Sequence, residues 1–122
     1  MSLVEIHGRL GNTALYYVII LAAWGIWRFI RKQGVDSQYW GALVIGEVLI
    51  LLQGGLGAYL WLSGLRPGKT IHILYGMVSA LLIPGVWAYT HGGEKRREML
   101  VYGISLVILV GLILRAISTS GG

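Results

Sequence analysis

Apolar residues run almost without interruption through Leu10–Ile30, Tyr39–Leu62, Ile71–Tyr89 and Met99–Ile117. Each run is close to the roughly 20 residues that an α-helix needs to cross a hydrocarbon core about 30 Å thick. The pattern breaks at Arg31-Lys32-Gln33-Gly34-Val35-Asp36-Ser37, at Gly64-Leu65-Arg66-Pro67-Gly68-Lys69 and at His91-Gly92-Gly93-Glu94-Lys95-Arg96-Arg97, where glycine, proline and charge mark turns. The spacing predicts one all-α domain over residues 1–122, an integral membrane four-helix bundle. Connections this short impose an up-down-up-down order. Pro84, followed by Gly85, predicts a kink in the third helix.

Composition agrees: 56% of the 122 residues are hydrophobic and 12% are charged, which excludes ordinary soluble domains and disordered chains. The net charge of +5 does not indicate nucleic-acid binding, because the ten Lys and Arg are spread among apolar runs. It is a topology signal instead. Arg28, Arg31, Lys32, Lys95, Arg96 and Arg97 flank or fill the first and third loops, against Arg66 and Lys69 in the second. Loops one and three are therefore expected on the cytoplasmic side of a prokaryotic plasma membrane, with both termini outside. The Glu94-Lys95-Arg96-Arg97 run is expected to start the fourth helix and to attract anionic lipid. No basic n-region with a short apolar core opens the chain, so the first span is expected to be retained. Trp24, Trp27, Tyr39, Trp40, Trp61, Trp87, Tyr89 and Tyr102 fall near the expected interfaces, where aromatic rings anchor helices. Cysteine is absent, so metal chemistry must rest on His7, His72, His91 or carboxylates.

Two of those histidines fall in a short repeat. Ile6-His7 is followed by Gly11 and Ala14, and Ile71-His72 by Gly76 and Ser79, at i+4 and i+7 from each histidine. Weaker echoes join Trp40-Gly41 to Tyr102-Gly103, so the chain reads as two helical hairpins in tandem. Helices one and three then run in the same direction and bring His7 and His72 to one, outer, membrane level. Positions i, i+4 and i+7 share a helix face, so a stripe of small side chains lies below each histidine. Opposed imidazoles above such a slot suit a bis-histidine haem b. Arg9, Arg66, Lys69 and Arg115 stand on the same side to pair with propionates. Small residues also serve plain helix packing, and a histidine at a helix end also reaches for headgroups. His91 lies on the opposite side and cannot share a metal with the other two.

Glu5-Ile6-His7-Gly8-Arg9-Leu10-Gly11 resembles the Glu, His and Arg cluster that opens a helix in the haem A synthase family, whose usual motif is Glu-x-x-His-Arg. Leu52-Gln53-Gly54-Gly55-Leu56-Gly57-Ala58-Tyr59-Leu60, then Ser63-Gly64-Leu65 and His72, resembles the helix, outer loop and ligand histidine that follow it. The likeness runs from about Glu5 to Ser79. It implies a four-helix haem-binding module with His7 and His72 as axial ligands. That family fuses two such bundles and many members carry a cysteine pair in the outer loop, whereas this chain supplies one bundle and no cysteine. Synthase-like activity would require a second bundle, as in a homo-oligomer.

Glu47 falls well inside the second span, where a charged group costs about 2.5–3.5 kcal/mol on insertion scales and is expected to be protonated, paired or turned to the interior. It is a candidate proton-relay or quinone contact, or else a hydrogen-bonding partner for a neighbouring helix. Gln53, further along, is expected either to line the same interior or to bond across to another helix. Gly54, Gly55 and Gly57 are the densest cluster of the 19 glycines; no strand precedes them, so they fit close helix packing or haem approach better than a dinucleotide fingerprint. The expectation is a membrane haem-binding, b-type cytochrome-like protein serving electron transfer or haem handling, and not an enzyme alone. The competing expectation is a haem-free accessory subunit of a larger respiratory or photosynthetic membrane complex.

Overall fold

A computed structural model describes residues 2–66 and 68–120; Pro67, expected in the second turn, lies outside the described residues. Among the described residues the chain forms four α-helices and no strand: α1 (Leu3–Ile30), α2 (Ser37–Leu62), α3 (Ile71–Thr90) and α4 (Arg96–Ser120). Local chemistry sets their ends. Ser2 caps α1 by accepting from the Glu5 N–H at 3.2 Å, and Asp36 caps α2 by accepting from the Tyr39 N–H at 2.7 Å. The Glu98 carboxylate accepts from the Lys95 N–H at 3.1 Å, so the charge run does open α4. α3 ends where His91 turns left-handed, at φ 53°. It stays helical through Pro84, which offers no N–H to the carbonyl of Ala80 one turn earlier.

All four helices are long and apolar enough to cross a membrane, which makes this a multi-pass membrane protein. α1 begins seven residues before the apolar run at Leu10, which places His7 inside the helix. Helices adjacent in sequence pack together around the bundle, and α4 closes the ring on α1 in the most extensive contact; α1 and α3 are diagonal. Glycine permits the close approaches. A Cβ at Gly103 would sit 3.3 Å from the side chain of Ile26 on α1, and one at Gly46 would sit 3.2 Å from the Tyr17 ring.

The core is unevenly distributed. Val18, Leu21, Tyr39, Leu43, Met99, Tyr102, Leu106 and Leu109 pack together in the half of the bundle near loops one and three. By contrast, no residue of α2 between Leu51 and Tyr59 is buried, and none of α3 before Ser79. The seam between α2 and α3 is thus the loosest in the bundle, and it loosens further toward the end that carries His7 and His72.

Three aromatic residues expected at the interface belong to this core instead. Tyr39 and Tyr102 are buried, and Trp24 packs edge-on against Tyr39 with ring centroids 4.9 Å apart. The Tyr39 hydroxyl donates to the Leu21 carbonyl at 2.8 Å, passing over Gly25, where a Cβ would lie 2.5 Å from it. The hydroxyl gains a partner inside the bundle, and that outweighs an anchoring role for which nearby Trp27 and Trp40 remain exposed.

The turns are tied to one another. At the basic end, Val35 N–H donates to the Glu94 carbonyl at 2.8 Å, the Arg28 guanidinium donates twice to the Gly34 carbonyl at 3.0 and 2.6 Å, and Arg96 donates to the Phe29 carbonyl at 2.9 Å. At the other end the second loop is held by α4: Gly68 and Lys69 N–H donate to the carbonyls of Ser120 and Thr119 at 2.8 and 3.0 Å.

Candidate functional site

His7 projects from the second turn of α1 and His72 from the first turn of α3, so a pair of diagonal helices places both imidazoles at one end of the bundle. Their ring centroids are 6.3 Å apart and their planes lie at 79°. Each ring has its own support. His72 Nδ1 lies 2.6 Å from the Ala116 carbonyl and 3.4 Å from the Thr119 hydroxyl, both on α4. A carbonyl can only accept, so Nδ1 donates there, a backbone support of the kind found behind metal-bound histidines. His7 Nδ1 is buried and has no hydrogen-bond partner. Gly57 on α2 backs the His7 ring: a Cβ there would sit 3.3 Å from His7 Cε1.

By separation alone, the pair matches two imidazoles bound to one metal. A nitrogen–metal bond of about 2.0–2.1 Å plus about 1 Å from nitrogen to ring centre puts two such rings about 6 Å apart. Among the described residues no group of three or more His, Asp or Glu side chains comes together. Two axial nitrogens are what a haem iron takes, the macrocycle supplying its other ligands. Toward this end of the bundle Gly54, Gly55 and Gly76 are exposed, and a Cβ added at any of them would have nothing within 4 Å.

The glycine stripes expected below the histidines are used differently. Gly76 is open, but the surface of Gly11 is covered: a Cβ there would meet the Gln53 amide nitrogen at 3.0 Å. That amide donates to the His7 carbonyl at 2.7 Å, while its oxygen is buried without a partner. Of the two expectations for Gln53, the bond across helices holds and the lining shared with Glu47 is corrected, since six residues turn a helix by about 600° and leave the two side chains about 120° apart. Gln53 therefore faces α1, and Glu47 faces the α2–α3 seam. There Glu47 lines a cleft of about 390 Å³ with Trp40, Leu51, Ile83, Pro84 and Trp87, its Oε1 buried and unpartnered.

The arginines expected to meet propionates divide. Arg115 holds its guanidinium 5.7 Å from the centre of the Tyr75 ring, three residues on from His72 and adjacent to the acceptor Ala116. Arg66 is engaged locally, stacked 3.9 Å over the Trp61 ring and donating to the Trp61 carbonyl. The Arg9 side chain is exposed, and its carbonyl accepts from Thr13. His91 lies at the opposite end, in a turn with a cleft of about 590 Å³ bounded by Tyr89, Arg97 and Glu98. Sequence reasoning missed Ala116 and Thr119, since a backbone carbonyl and a threonine near a helix end carry no signal in the pattern.

No protein-family model, curated protein or solved structure matches this chain.

Proposed function

We propose that the protein is a b-type cytochrome-like membrane module in which His7 and His72 hold one haem between α1 and α3. The observation that carries this reading is the pairing of the two imidazoles with ring centroids 6.3 Å apart, close to the separation of two axial imidazoles on one iron. The Ala116 carbonyl would fix the tautomer of His72, and the buried Nδ1 of His7, otherwise an orphan, would gain either a metal or a partner when the ring turns to bind. Arg115 is the cation best placed for a propionate.

Bound haem would supply a one-electron couple, and with both axial positions filled by imidazole the iron has no open site, which favours electron transfer or haem handling over oxygen chemistry. The chain's own part is to hold the two rings in register, to exclude water with its apolar helices, and to offer an arginine to the carboxylates. The likeness to one half of haem A synthase agrees with this role and with a chain that is not an enzyme by itself.

In the orientation we propose, the basic end carrying Arg28, Arg31, Lys32, Lys95, Arg96 and Arg97 faces the cytoplasm of a prokaryotic cell, with the histidines near the outer surface. The cysteine-free chain makes this testable: single cysteines at Ser2 and at Gln33 should react and fail to react, respectively, with an impermeant maleimide added to whole cells.

A reduced-minus-oxidised absorbance spectrum of the protein purified from haem-replete cells tests the central reading. Haem b bands are expected, and His7→Ala with His72→Ala should abolish them. Absent bands, or bands that survive the double substitution, would overturn it. The exposed, uncovered Gly54 and Gly55 on α2 favour a second reading, in which a partner helix packs there and the chain serves as a haem-free accessory subunit or a homo-oligomer.

A further inference from the structure

Glu47 lies ten residues beyond the start of α2. At 1.5 Å per residue that is about 15 Å along the helix, deep within the hydrocarbon. Its Oε1 is buried and makes no hydrogen bond. An unsatisfied carboxyl at that depth is costly, and membrane segments that keep one use it. Around it the α2–α3 seam forms a cleft of about 390 Å³ whose other walls are apolar or aromatic, with the Trp40 and Trp87 indoles among them. A concave apolar site of about 300–1,000 Å³ with one convergent polar group is the usual form of a small-molecule site.

The depth and size of the cleft restrict the occupant. A phospholipid headgroup stays at the interface, and an acyl chain would leave Oε1 unpaired. What fits is a flat ring dissolved in the membrane that carries its own hydroxyl, since aromatic rings pack well against indoles and a hydroxyl can donate to a carboxyl oxygen in either protonation state. We propose that the Glu47 cleft binds the ring of a membrane-dissolved hydroquinone, one ring hydroxyl donating to Glu47 Oε1. This site is separate from the histidine pair and does not depend on haem.

The full chain in nanodiscs of zwitterionic lipid, titrated with tetramethylhydroquinone while tryptophan fluorescence is followed, tests it. Saturable quenching is expected. Tetramethylhydroquinone dimethyl ether, which has no hydroxyl to donate, should bind the unaltered protein about tenfold more weakly, the scale of one lost hydrogen bond to a carboxyl. Glu47→Leu should weaken the hydroquinone by a similar factor, and Leu51→Phe, which fills the cleft from its edge, should remove saturation. Quenching that rises linearly, or equally for the ether, or unchanged in Glu47→Leu, would overturn the proposal. A change of oligomeric state in Glu47→Leu with quenching unaltered would do the same by assigning the cleft to a second copy of the chain. The comparison of the two probes uses the unaltered protein, so a variant that fails to fold leaves the test intact.

Discussion

Replacing Gly57 by alanine and then by valine measures how firmly His7 is held. A Cβ at Gly57 would sit 3.3 Å from His7 Cε1, whereas carbon atoms in good contact lie about 3.5–4.0 Å apart. The ring must therefore retreat by about 0.2–0.7 Å, at the edge of the roughly 0.5 Å within which a binding constellation tolerates displacement. Overpacking of this kind costs about 1–3 kcal/mol. At 1.4 kcal/mol per factor of ten that would weaken the proposed haem binding about 5- to 150-fold, alanine falling at the low end and valine at the high end. At Gly54 and Gly55, one turn away, an added Cβ would have nothing within 4 Å. Alanine there should leave haem affinity unchanged and stabilise the helix by about 0.5–1 kcal/mol. The assay is haem titration by absorbance, with thermal unfolding of the haem-free protein alongside to separate lost affinity from lost stability. Equal affinities for Gly54→Ala and Gly57→Ala would refute the reasoning, because only the position behind His7 is predicted to matter.

The Tyr39 hydroxyl and Gly25 should be coupled. Tyr39→Phe is expected to cost about 0.5–1.5 kcal/mol for the lost hydrogen bond, and Gly25→Ala to cost up to about 2 kcal/mol after its gain in helix propensity. The double variant should be less destabilised than the sum by more than about 0.5 kcal/mol in denaturant unfolding, since removing the hydroxyl removes the clash. Gly34→Ala should destabilise by about 1–3 kcal/mol, because its Cβ would overlap the Glu94 carbonyl, a backbone atom that cannot swing aside. Gly111→Ala, in open space on α4, should be neutral or stabilising in the same unfolding series. Ala in place of Ser2 should fray the first turn of α1 at a cost of about 0.5–2 kcal/mol, seen as faster amide exchange near Glu5.

The helices were legible because a bilayer demands unbroken apolar runs, and Leu62 and Ile71 mark element bounds at the residues where the runs end and begin. The diagonal facing of His7 and His72 followed from helix parity and short loops alone. What the pattern did not carry was direction around each helix. Burial inside a bundle and exposure to lipid select the same apolar residues, so Tyr39 and Tyr102 read as interface anchors although they sit in the core. Gln53 and Glu47 looked like one polar lining, yet they point to different helices. The support of His72 by Ala116 and Thr119 is made by α4 backbone and a hydroxyl, which no residue pattern announces.

That last contact also fixes when the site can exist. The carbonyl that orients His72 lies 44 residues downstream of it, in the penultimate turn of α4. At about 5–20 residues per second of synthesis, His72 is made roughly 2–9 s before its partner. A nascent chain holding α1, α2 and α3 already has both histidines, but neither the tautomer lock nor the α4 strap that fastens the second loop. The histidine pair with both of its α4 supports is therefore complete only once α4 has been made and inserted: insertion of the last helix is the clock for the site.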